Sequence, residues 1–121
     1  MYMLVEKWLN KILEQNIPSD VVGLNFNLYE DGSNNWSIEL IGTDRFDLED
    51  EAWCCEEIFD FGTRETPFVW KEEKTWDEIL DQMMQIIKKY LEQGLYSSIL
   101  KQYQGIGIGF VDGDVEMLFV K

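Results

Sequence analysis

Histidine is absent from this sequence, and its two cysteines, Cys54 and Cys55, are neighbours in the chain. Histidine is the side chain most used for acid–base chemistry near neutral pH and the commonest zinc ligand. Without it, a cysteine nucleophile also lacks its usual activating partner. Adjacent cysteines are unlike the pairs that form ordinary structural disulfides, which are distant in sequence. We therefore expect a non-enzymatic protein without cofactor or metal, located in the reducing cytoplasm.

Basic residues and long apolar runs are also scarce. Ten Lys and Arg residues stand against 24 Asp and Glu residues, which gives a formal net charge of −14. Phosphate groups of nucleic acids and anionic membrane surfaces repel such a chain, because their binding relies on Lys and Arg. No apolar stretch reaches the length of about 18 residues that marks a membrane span, and the first residues lack a signal-peptide pattern. The charge favours a cationic partner, and high solubility alone is the alternative explanation.

Bulky apolar residues are plentiful, since 45% of the 121 residues are hydrophobic and 14% are aromatic. This content is sufficient for one continuous core, and the length is typical of one domain. We therefore expect residues 1–121 to form a single α+β domain.

Helical periodicity marks three segments. Apolar residues from Val5 to Leu13 predict an amphipathic first helix that ends before Pro18. A long helix over 75–93 is predicted by the capping-box sequence Thr75–Glu78, by apolar residues spaced from Trp76 to Leu91, and by Gly94 after its end. A short helix is expected over 96–102.

Alternation with a period of two predicts the strands. One hairpin is expected over 22–40 with its turn at 30–35, and a second over 105–120 with its turn at Asp112-Gly113. Middle strands are expected within 53–61 and near 68–70. The predicted fold is an antiparallel sheet, built from these two hairpins and one or two middle strands, with the N-terminal helix and the helix 75–93 packed on one face.

Three glycines alternate in the second hairpin, at 105, 107 and 109. A nucleotide-binding loop would be followed by a helix, whereas a strand and a turn follow here. We expect the missing side chains to let a helix or a large aromatic ring approach the strand. The acids Asp112, Asp114 and Glu116 do not have the spacing of a calcium loop and are explained by the hairpin turn.

Half of the net charge lies in residues 44–60, which we call the acidic segment: eight acids and Arg45 give it a charge of −7. Aromatic residues are interleaved with these acids, as they are in many protein interfaces. The alternative is that the aromatic rings enter the core while the acids form a solvated face. The segment predicts a partner-binding surface with Trp53 as its anchor. Its expected partner-binding residues are Asp44, Asp47, Glu49, Asp50, Glu51, Trp53, Glu56, Glu57 and Asp60.

The chain resembles the small acidic immunity proteins encoded beside toxins in bacterial polymorphic-toxin and contact-dependent systems. The resemblance extends over the whole chain and consists of the amphipathic first helix, the 22–40 hairpin, the stretch FDFGTRE at 59–65, the long capped helix, and GIGIGFVDGD at 105–114. Such proteins generally neutralise a toxin by covering its active site or an essential surface. Where the toxin is a basic nuclease, an acidic face takes the place of the nucleic acid.

The resemblance and the charge together suggest a cytoplasmic immunity or inhibitor protein that binds a basic cognate toxin and does not bind nucleic acid or membrane directly. One alternative is a non-catalytic interaction or adaptor module with an unrelated partner. Another is a carboxylate-based hydrolase, because paired carboxylates at a suitable separation hydrolyse glycosides.

Overall fold

The computed structural model describes all of residues 1–121, as three α-helices and a six-stranded sheet in one α+β domain. The α-helices are α1 (Tyr2–Ile12), α2 (Trp76–Gln93) and α3 (Ser97–Leu100). The strands are β1 (Gly23–Gly32), β2 (Asn35–Thr43), β3 (Glu57–Phe59), β4 (Phe68–Lys71), β5 (Gly105–Phe110) and β6 (Glu116–Val120). A 3₁₀ helix spans Glu51–Cys55. The predicted fold class, helices and middle strands are confirmed.

Helix α2 begins where its capping box predicts. The backbone N–H of Thr75 donates to Glu78 Oε1 at 3.0 Å, so a backbone donor next to the helix start is satisfied by the side chain three positions on. One face of the helix is buried, at Ile79, Met83 and Ile87. Trp76, the first residue of α2, does not join that face, and its side chain is exposed.

Both predicted hairpins are present. In the first, β1 and β2 pair from Gly23 opposite Thr43 to Gly32 opposite Asn35. The two residues between the strands, Ser33 and Asn34, have φ angles of 53° and 63°. Tight hairpin turns that match the strand twist require positive φ at both positions, so this backbone holds the register of the hairpin.

The sheet is mixed, whereas the sequence predicted a wholly antiparallel one. Its strand order is β3-β2-β1-β5-β6, with β4 beside β2. Strand β5 pairs with β1 in parallel, from Gly23 opposite Gly105 to Leu28 opposite Phe110. The chain reaches β5 from β1 through a long connection that contains α2, and such a crossover allows parallel pairing.

The two faces of the sheet differ in what covers them. The first face carries Leu24, Phe26 and Leu28 of β1, which enter the core together with the buried residues of α1 and α2. This confirms the prediction that both helices pack on one face. The second face carries the neighbouring side chains of β1, including Asn25 and Tyr29, and the glycines of β5. No α-helix covers this second face, and part of it lies beneath the acidic segment.

Candidate binding surface

The acidic segment crosses the second face of the sheet and is fixed there by two aromatic rings. Phe46 and Trp53 pack edge to face, with ring centroids 4.9 Å apart. A Cβ at Gly105 would collide with the Phe46 ring, and one at Gly23 would come within 2.9 Å of Trp53 Cζ3. The prediction that the β5 glycines admit a large aromatic ring is therefore confirmed. These contacts hold the loop and the 3₁₀ helix against the sheet.

Trp53 consequently cannot be the exposed anchor that the sequence suggested. Its side chain is only 1% exposed, because the ring packs on the sheet at Gly23 and Gly107 and against the neighbouring Phe46 ring. The large apolar side chains that the acidic segment does present to solvent are Leu48, 59% exposed, and Ile58, 40% exposed.

The eight acids of the segment all retain contact with solvent. Asp44, Glu49, Asp50, Glu51 and Glu56 are exposed, and Asp47, Glu57 and Asp60 are half-buried. Three carboxylates also shape the local backbone by accepting hydrogen bonds from N–H groups two residues on: Asp47 from Glu49, Asp50 from Ala52 and Asp60 from Gly62. Such side-chain turns give the segment a defined path.

Arginines neutralise only part of this charge. Arg45 Nη2 lies 3.8 Å from Asp47 Oδ2 and 3.8 Å from Asp50 Oδ2. Arg64 donates to both carboxylate oxygens of Glu57. The eight carboxylates together with these two arginines leave a net charge of −6. Five of the acids lie in no ion pair: Asp44, Glu49, Glu51, Glu56 and Asp60.

The turn between β5 and β6 extends the acidic surface. The backbone N–H of Val115 donates to Glu51 Oε2 at 3.3 Å, which brings the turn against the 3₁₀ helix. The acids Asp112, Asp114 and Glu116 around it are exposed. Sequence reasoning explained these residues by the turn alone, because the contacting residues Glu51 and Val115 are far apart in the sequence.

A polar network around the buried carboxylate of Glu39, next to the acidic segment, was missed by sequence reasoning. Glu39, 3% exposed, accepts hydrogen bonds from Tyr29 Oη at 2.6 Å and Asn27 Nδ2 at 3.0 Å, and Arg64 Nη2 lies 3.4 Å away. Burial, and then the bond to Glu39, raise the pKa of Tyr29 to about 12. Hydrogen bonds to Glu57 and Glu39 raise the pKa of the Arg64 guanidinium. The network ties the segment that follows β3 to the two central strands.

The alternation of β1 does place Asn27 and Tyr29 on one face, which is the only part of this network that the sequence signals. The opposing residue, Glu39, is found only once the register of β1 and β2 is known.

The thiols and carboxylates offer no further recognisable site. Burial raises the pKa of the Cys54 thiol to about 11, and the neighbouring Cys55 adds to the effect, so this thiol stays protonated near neutral pH. Both cysteines are free. No group of three or more Cys, Asp or Glu side chains is arranged to hold a metal ion.

Comparisons with protein-family models, with curated proteins and with solved structures found no match to this chain. No helix of the structure combines the length and the apolar character needed to cross a membrane.

Proposed function

We propose that this chain is a cytoplasmic inhibitor that binds and neutralises a basic protein, in the manner of the bacterial immunity proteins that it resembles. One observation carries the proposal: the acidic segment holds its carboxylates on an accessible surface, with a net charge of −6 after Arg45 and the neighbouring Arg64 are both counted. An accessible field of one sign steers a partner of opposite charge and fixes its orientation.

The bracing of the segment strengthens this argument. Because Phe46 and Trp53 fix it to the sheet, the carboxylates need little ordering when a partner arrives. Binding surfaces that are ordered in advance avoid part of the entropy cost of association. Trp53 thus supports the surface from beneath instead of contacting the partner.

Direct apolar contact is assigned to Leu48 and Ile58. Leu48 lies between Asp47 and Glu49, so a partner that approaches these acids also meets an exposed aliphatic side chain. Interfaces commonly combine apolar contacts at the centre with charges around them. This arrangement fits a basic protein surface better than it fits a free cation.

The test is a triple charge reversal at Asp44, Glu49 and Glu56, each changed to Lys. These exposed side chains make no ion pair and no side-chain hydrogen bond, so their replacement leaves the turns and the bracing intact. The binding partner in the assay is a basic protein encoded next to this chain in its genome. We expect the affinity to fall by about tenfold to a hundredfold, since each reversed charge is worth about 0.5–1 kcal/mol at such a surface.

A matched control reverses Glu14, Asp81 and Glu92, which are exposed and outside the acidic segment. Both triple variants change the formal net charge from −14 to −8. The control should bind almost as well as the unmodified chain. Equal affinities for the two triple variants, measured by titration calorimetry, would show that the acidic segment has no special role. Binding that leaves the partner's activity intact would make the chain an adaptor and not an inhibitor.

A further inference from the structure

A pocket of about 490 Å³ lies at the carboxyl ends of the parallel strands β1 and β5, beyond the acidic segment. Three aromatic residues line it: Tyr29, Trp76 and Phe110. Its charged lining residues are both acids, Glu30 and Asp112, and both are exposed. The Tyr29 hydroxyl is bonded to Glu39 on the second face of the sheet, so Trp76 and Phe110 supply the aromatic side of the pocket. The pocket therefore combines these two rings with negative charge and has no lysine or arginine in its lining.

The aromatic wall is exposed but held in place. Trp76 is the first residue of α2 and is 59% exposed. Its ring meets the Phe110 ring edge to face, with centroids 6.2 Å apart and an interplanar angle of 89°. Phe110 is in turn packed against the core residue Trp36, with ring centroids 6.0 Å apart. A large ring that is fixed and yet open to solvent is available to a ligand.

These features select a cation. A guanidinium or ammonium group is attracted to the faces of Trp, Tyr and Phe, and the nearby carboxylates add to the attraction. The N-terminus of α2 is also close, but it does not offer an anion site. The N–H of Thr75 already donates to Glu78, and Asp77 and Glu78 place negative charge in the first turn.

We infer that this pocket binds a single Arg or Lys side chain of the basic partner. It is continuous with the acidic surface, because the turn that carries Asp112 contacts Glu51 of the 3₁₀ helix through Val115. The inference rests on the proposed function for the identity of the partner. The chemistry of the pocket can nevertheless be tested without that partner.

The experiment is an NMR titration of the ¹⁵N-labelled full chain with the peptide acetyl-Gly-Gly-Arg-Gly-Gly-amide at constant ionic strength. Saturable shifts are expected for the Trp76 indole N–H and for the amides of Glu30, Asp112 and Gly113. In a second peptide, citrulline replaces the arginine; it is similar in shape but uncharged. This peptide should bind at least about fivefold more weakly. Equal binding of the two peptides would overturn a cation site.

Two variants assign the binding to this pocket. Trp76→Ala should weaken binding of the arginine peptide about fivefold, whereas Trp76→Phe, which keeps an aromatic face and identifies the indole signal, should retain most of it. A matched control, Leu95→Ala, removes another exposed apolar side chain, 69% exposed, and should leave binding unchanged. An unchanged affinity of the Trp76→Ala variant, with its spectrum otherwise preserved, would refute the proposal.

Two further outcomes would also overturn it. Tetramethylammonium chloride that saturates the pocket while the peptide does not bind would indicate a site for a free small cation. Peptide-induced shifts spread along residues 44–60, without saturation at Trp76, would indicate a diffuse charge effect.

Failure of the peptide titration, together with a partner that still responds to the triple charge reversal, would remove the pocket and leave the proposed function standing.

Discussion

The hydrogen atom that serves as the side chain of Gly105 shapes the acidic surface. The ring of Phe46 occupies the space that a methyl group would need, and Phe46 packs in turn on Trp53. Protein interiors are packed as densely as organic crystals, so an added methyl group must displace a neighbour. The position of the carboxylates above the sheet therefore depends on a residue that carries no charge.

We expect Gly105→Ala to lower the free energy of unfolding by about 1–3 kcal/mol, as overpacking of a filled site typically does. The matched control is Gly113→Ala: its new Cβ would meet nothing closer than 3.6 Å, and its φ is not positive. That variant should stay within about 1 kcal/mol of the unmodified chain. Urea unfolding measures both values, and equal stabilities of the two variants would contradict this packing.

At the scale of elements, the outer edge of β2 is completed by a side chain. Strand β4 pairs with β2 from Asn35 to Ile38, and β3 pairs with it at Gly42 and Thr43, which leaves Leu40 between them. There, Leu40 N donates to Thr63 Oγ1 at 2.9 Å, and the same hydroxyl lies 3.0 Å from Leu40 O. Thr63 is fully buried and thus takes the place of a strand.

Thr63→Val should destabilise the chain by about 1–3 kcal/mol, because the replacement leaves the buried Leu40 N–H without a partner. Thr66→Val provides the comparison, since the Thr66 hydroxyl bonds Gly62 O in an exposed position and its loss should have little effect. Chemical denaturation distinguishes the two. If both substitutions were neutral, this edge would not depend on the Thr63 hydroxyl.

The elements with local signals were predictable from the sequence. The capping box defines the start of α2, and the turn residues before Trp36 define the first hairpin. The parallel pairing of β1 with β5 was not predictable, because alternation along a strand does not identify its neighbour or their relative direction. Trp53 was misplaced for a related reason: an aromatic residue among acids is compatible with either a core or an interface position.

At the scale of the whole molecule, charge is unevenly distributed. None of the eight lysines lies in the acidic segment, and four of them are on α1 and α2, on the other side of the sheet. Such an asymmetric field would orient the proposed basic partner toward the second face before contact. The sequence showed the clustering of the acids, but only the fold shows that the segment and the β5–β6 turn form one surface.

If the proposed function is correct, the basic partner binds on this surface. Hydrogen–deuterium exchange of the chain, alone and in complex with the proposed basic partner, locates the binding surface. We expect slower exchange in residues 44–60 and 111–115 of the complex, with exchange in α1 unchanged. Slower exchange confined to α1 and α2, with the acidic segment unaffected, would contradict it.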